Sequence, residues 1–205
     1  MFRDREDAGN HLARELAKYR GENAVILALP RGGVVVGARI AEVLDLPLDI
    51  VVVRKIGHPD NPEYAVCAVD EGGTLLCDEE AVRTIPKDWL EGEALREQNE
   101  ALRRTRVYQA GRSKTEIEGK IAVLVDDGIA TGLTVRAAIG SIKKQNPKKI
   151  IIAVPVAPHD VVMKLKKEAD EVIVLLDPLD FLGAVGAHYQ YFPQVSDQEV
   201  IALLK

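Results

Sequence analysis

Five apolar runs constrain what this chain can fold into more than any other feature. They cover residues 24–29 (AVILAL), 48–53 (LDIVVV), 121–125 (IAVLV), 149–156 (KIIIAVPV) and 171–176 (EVIVLL). Runs that are apolar almost throughout, rather than alternating, read as strands buried on both faces, the habit of a parallel sheet. Between them lie stretches with helical spacing, at residues 33–44, 133–144 and 157–169. Residues 4–19 precede the first run, with Ala8, Leu12, Leu16 and Tyr19 on one helical face. Strands alternating with helices predict an α/β fold, a doubly wound, mainly parallel sheet with helices on both faces. A length of 205 residues suits one domain spanning 1–205.

Two segments depart from that rhythm. Residues 57–78 open with a turn-rich stretch, GHPDNPEY, read as a loop. AVCAVD and TLLCD then flank EGG and predict a hairpin. Residues 85–111 read as a long polar helix. The tail from 178 to 193 is irregular and carries Phe181, Tyr189, Tyr191 and Phe192; a short helix over 197–204 ends the sequence.

Composition excludes several classes. A net charge of −5 argues against a binder of nucleic-acid backbones, and 4% aromatic content leaves few stacking platforms for single strands. No apolar run is long enough to cross a bilayer, so no membrane partner is expected. The charged first residues lack a signal-peptide apolar segment, and a cytoplasmic location is the default expectation. Cys67 and Cys77 could form one bridge; without a secretion signal they read as reduced core thiols. No His/Cys metal spacing is present.

In parallel α/β sheets ligands bind beyond the carboxyl ends of the strands. One such end reads VLVDDGIATGLT, residues 123–134. Adjacent Asp126 and Asp127 can accept hydrogen bonds from two vicinal hydroxyls, as on a ribose. Gly128, Ile129, Ala130, Thr131, Gly132, Leu133 and Thr134 then lead into a helix. Gly132 permits a tight turn that aims amide N–H groups at one point, beside a positive helix end and two threonine hydroxyls. That cradle suits a phosphate monoester. Acids for a sugar and amides for its phosphate describe one phosphosugar site.

The string resembles the phosphoribosyl-pyrophosphate (PRPP) motif of the type I phosphoribosyltransferases: apolar residues, two acids, a spacer, then Thr-Gly-x-Thr. The resemblance covers residues 24–176 in motif order. It is closest to uncharacterised predicted phosphoribosyltransferases, which share Leu-Pro-Arg-Gly-Gly, Val-Arg-Lys-x-Gly and a Phe…Ala-Val-Gly tail. It implies that Arg31, Gly32 and Gly33 form a loop for the diphosphate, with a cis peptide at Pro30–Arg31. It implies that Arg54 and Lys55 add charge there, followed by a mobile loop over the site within residues 57–78. A hood over the acceptor is implied from residues 178–205. Asp126, Asp127 and Arg31 are the implied catalytic residues.

The implied activity is transfer of the 5-phosphoribosyl group from PRPP to a nitrogen acceptor, with Mg2+ carried by PRPP near Asp126 and Asp127 rather than held by a protein ligand set. The acceptor would be a small molecule, a nucleobase by class, within purine or pyrimidine salvage. In the 6-oxopurine enzymes the residue before Thr-Gly is usually an acid; here it is Ala130, a departure from that pattern. The rival reading is a PRPP-sensing regulator on the same fold. Dimers are common in the family, so a homodimer is compatible with the resemblance.

Overall fold

The computed structural model describes residues 1–179 and 181–205. In chain order the first elements are α1 (Arg5–Glu15), β1 (Ala24–Ala28), α2 (Gly32–Leu44), β2 (Leu48–Ile50), β3 (Val53–His58), β4 (Asn61–Asp70) and β5 (Leu75–Cys77). There follow α3 (Lys87–Tyr108), β6 (Ile121–Val125), α4 (Leu133–Lys143), β7 (Lys149–Val156), α5 (His159–Leu165), β8 (Glu171–Leu176) and α6 (Asp197–Leu203). The main sheet has the order β2-β1-β6-β7-β8, with every neighbouring pair parallel. The fold is α/β, as the apolar runs predict.

Those runs are apolar throughout because each strand packs on two sides. Ala24 and Ile26 of β1, with Val123 and Ile151, face Leu12 of α1 and Val36 and Ile40 of α2. Val25 and Leu27, with Leu124 and Ile152, face Ala138 and Ile139 of α4 and Leu165 of α5. The two-residue period of a strand sends alternate side chains to opposite layers, so both sets must be apolar.

The structure revises three local expectations. The run at 48–53 is not one strand: β2 stops at Ile50, and Val53 already belongs to β3 in a second sheet. The stretch GHPDNPEY is not an open loop. β3 runs on to His58, β4 restarts at Asn61, and the two pair antiparallel with a shift in register around Gly57. Its Gly, Pro, Asn and Asp mark a bulge and a tight turn, which share the composition of a loop. With β5, this makes a three-stranded antiparallel sheet. The third revision concerns the cysteines. Cys67 and Cys77 stand directly opposite each other on β4 and β5, with Cα atoms 4.0 Å apart, and their sulfurs are joined in a disulfide. The expectation of reduced thiols rests only on the missing secretion signal, whereas the hairpin register brings the two side chains together.

Helix α3 lies against β3 and β4. Trp89, Leu90 and Ala94 cover Ile56, Val66 and Val69, while Ala101 and Tyr108 reach Val52, Val195 and Val200. The tail doubles back on the chain start: the Phe2 N–H donates to the His188 carbonyl (2.9 Å), and the Gln190 N–H donates to the Phe2 carbonyl (2.8 Å). Asp180, in the segment expected to form the hood, lies outside the described residues. Among the described residues no helix is long and apolar enough to cross a membrane.

Candidate functional site

Helices α2 and α4 both begin at the carboxyl edge of the main sheet, and neither has a side-chain cap at its first turn. No side chain occupies their leading N–H groups, although the Val34 N–H of α2 donates to the Arg31 carbonyl at 3.1 Å, and the positive end of each helix dipole lies behind them. A cleft of about 380 Å³ opens at this edge. That is within the ~300–1,000 Å³ usual for small-molecule sites.

Most of the residues expected from the sequence meet here. Arg31, Gly32, Arg54, Lys55, Asp126, Asp127, Gly128, Ile129, Ala130, Thr131, Gly132 and Thr134 all line the cleft. Two do not. Gly33 lies beneath it, where an added Cβ would fall 2.9 Å from the Asp126 Cα. Leu133 is 6% exposed and packs in the core below α4. The peptide between Pro30 and Arg31 is cis.

The turn into α4 has a specific local cause. Gly132, at the start of α4, sits at φ +80°, the left-handed region where a side chain is strained, and this turns the chain into the helix. The Thr134 hydroxyl, two residues on, is buried and has no hydrogen-bond partner. A buried hydroxyl without a partner is unfavourable.

In the same cleft, the Asp127 N–H donates to Asp126 Oδ1 at 2.8 Å, so the two acids are locked together. The Asp126 carboxyl reaches the cleft but is crowded by protein. Loss of hydration, and then the neighbouring Asp127 charge, push its pKa well above the ordinary 3.8; the Asp127 N–H and Lys55 oppose this. Asp127 Oδ2 accepts a hydrogen bond from Arg5 Nε at 2.8 Å. The Asp127 carbonyl accepts one from the Tyr189 hydroxyl at 2.6 Å. Burial, and then Asp127, raise the pKa of that hydroxyl, which keeps it a donor.

The arginines of the cleft are individually tethered. Arg54 Nε donates to Glu97 Oε2 of α3 at 2.8 Å. Arg31 lies 3.8 Å from Asp197, which also accepts from the Tyr108 hydroxyl at 2.6 Å. Burial, and then that bond, push the Tyr108 pKa up to about 12. Lys55 stands exposed at the rim. Arg104 of α3 also reaches the cleft, held by Glu100 at 2.8 Å. Hydrogen bonds from Arg103, then Arg104, hold the Glu100 carboxyl down at about 2.

Sequence reasoning missed Arg5, Glu97 and Arg104. Each comes from a helix distant in sequence from the motif it serves, and no local pattern marks it. The aromatic tail is divided. Phe192 lines the cleft beside Val185, Tyr189 is buried under Asp127, Phe181 stacks on His188, and Tyr191 is exposed. For Mg2+ the donor set is modest. Among the described residues no three His, Cys, Asp or Glu gather as a ligand set, and one Asp127 oxygen is engaged by Arg5. The acid pair suits an ion that arrives with most of its ligands, as Mg2+ on phosphate oxygens does.

The acid pair and the uncapped start of α4 thus line one cleft at the carboxyl edge of the parallel sheet. The family model of the phosphoribosyl transferase domain matches residues 3–191, and this chain belongs to that family. A Mycobacterium tuberculosis (H37Rv) protein named "putative phosphoribosyl transferase" is 42% identical over 206 residues, covering 100% of this chain and 46% of that protein. The chain thus spans about half the length of the curated relatives it matches. The crystal structure of TT1426 from Thermus thermophilus is 45% identical, with a TM-score of 0.83, covering 100% of this chain and 97% of that one. The AQ2163 protein from Aquifex aeolicus shares the fold at 15% identity and a TM-score of 0.52, over 87% of this chain and 78% of that one.

Proposed function

We propose that the chain binds PRPP with Mg2+ and transfers the 5-phosphoribosyl group to a ring nitrogen of a small acceptor, a nucleobase by class, releasing diphosphate. One observation carries this reading. The acid pair and the uncapped start of α4, with its left-handed Gly132, line a single cleft. Asp126 and the remaining oxygen of Asp127 accept the ribose hydroxyls. Residues 130–134 hold the 5′-phosphate. Arg31, the Gly32 backbone, Arg54 and Lys55 meet the diphosphate.

The C1–O bond breaks with its electron pair leaving on diphosphate, and the acceptor nitrogen bonds C1 from the opposite face and gives up its proton. Catalysis lies in positioning and in charge stabilisation of the leaving group. Mg2+, when bound, spreads the negative charge of that group. Ala130 offers no carboxylate to an acceptor, which supports a base other than a 6-oxopurine.

The test is a panel. The protein is incubated with PRPP, Mg2+ and individual bases, and diphosphate is measured. Base-dependent release with one or a few bases is expected. PRPP binding without release for any base would instead identify a PRPP-sensing regulator.

A further inference from the structure

Arg5 is a buried cation 122 positions before the acid it serves. The Asp4 carboxylate caps α1 by accepting from the Asp7 N–H at 2.8 Å, which fixes Arg5 as the first residue of the helix. From there its side chain makes three contacts. Nε donates to Asp127 Oδ2 at 2.8 Å, Nη1 donates to the Pro193 carbonyl at 2.7 Å, and the guanidinium lies 3.7 Å over the Phe192 ring. The Arg5 and Asp127 side chains are only 8% and 16% exposed. A planar fork used on both sides and stacked on an aromatic face is a task for arginine rather than lysine.

The consequence falls on Asp127. Its Oδ2 is engaged by Arg5, its N–H by Asp126 and its carbonyl by Tyr189. Gly32 packs against the same Oδ2. One carboxylate oxygen remains for a ligand, in one orientation. Arg5 on one side and Tyr189 and Phe192 on the other come from segments that also pair through Phe2 and residues 188–190.

We infer that Arg5 is a positioning residue: acting through Asp127, it sets the single oxygen that meets the ribose, and it makes the paired segments 2–5 and 188–193 part of the sugar subsite. This rests on the function proposed above. An intrinsically mobile carboxylate is pre-ordered before the sugar arrives, so less ordering is left for binding.

The test compares two ligands, PRPP and inorganic diphosphate, by calorimetry on wild type and Arg5→Met. PRPP reaches Asp127; diphosphate, on the Arg31 side, does not. PRPP affinity should fall about tenfold or more, in line with coupling energies between contacting groups, while diphosphate affinity stays unchanged. Equal losses for both ligands, or no loss for PRPP, would overturn the inference. If circular dichroism shows that Arg5→Met does not fold, Arg5→Lys, which keeps the charge but not the fork, carries the test with the same two readings. Failure of wild type to bind PRPP overturns the functional reading itself, and is thereby distinct from failure at Arg5.

Discussion

Replacing Gly32 with alanine is expected to abolish PRPP binding and to lower stability. The new Cβ would fall 1.8 Å from Asp127 Oδ2, 2.6 Å from its Cγ and 2.8 Å from Arg5 Nε. No rotamer of the methyl relieves such an overlap, because the Cβ position is fixed by the backbone. Asp127 must swing away, which breaks its bond to Arg5 and leaves two largely buried charges unpaired. Breaking a buried pair costs about 3–5 kcal/mol. For a domain of this size each kcal/mol shifts Tm by about 2–4 °C, so a drop of roughly 10 °C is expected. Gly140, inside α4, has nothing within 4 Å of an added Cβ. Gly140→Ala serves as the control and should stabilise by about 0.5–1 kcal/mol without touching PRPP affinity. A Gly32→Ala protein that melts and binds like wild type would refute the packing described around Asp127.

Asp126→Asn should separate stability from function. The amide keeps an oxygen to accept the Asp127 N–H but removes a charge that the crowded cleft disfavours. The variant should be more stable than wild type near neutral pH, by about 0.5–2 kcal/mol, the usual yield when a functional compromise is relieved. It should bind PRPP at least about tenfold more weakly, since a hydrogen bond to a charged group contributes roughly 1.5–3 kcal/mol.

The sign with pH follows from the raised pKa of Asp126. The folded state holds this proton more tightly than the unfolded chain. The stability it contributes is complete below the ordinary value of 3.8 and is lost as pH rises through the folded value. Wild type and variant should therefore melt together in acid and diverge as pH rises. Thermal melts at a series of pH values measure this directly. A constant gap across pH would place the effect elsewhere than the Asp126 proton.

The sequence made the main sheet legible because burial on two faces leaves an unmistakable mark: residues 121–125 and 171–176 read as strands and are strands. The same logic failed at residues 48–53. An apolar run shows burial but not which sheet buries it, so the passage from β2 to β3 was invisible. The turn-rich composition of 57–64 misled for a related reason, since a bulged hairpin and a loop draw on the same residues. At the cleft, residues 123–134 were legible because the ligand contacts proposed for them depend on local order along the chain: acids, turn, helix start. Arg5, Glu97 and Arg104 were not. Each meets its partner through tertiary packing, and a charged residue on a polar helix carries no sign of what it will face. Arg5 sits among Arg3, Asp4, Glu6 and Asp7, a stretch that reads simply as a charged terminus.

In the proposed function two half-sites, one for the sugar and one for its phosphates, act on a single ligand. The most direct measurement is calorimetric titration of the wild-type protein, with Mg2+, by PRPP, ribose 5-phosphate and diphosphate in turn. The expected result is saturable binding of PRPP, tighter than that of either fragment. Diphosphate binding as tightly as PRPP, or no saturable heat with PRPP, would contradict it.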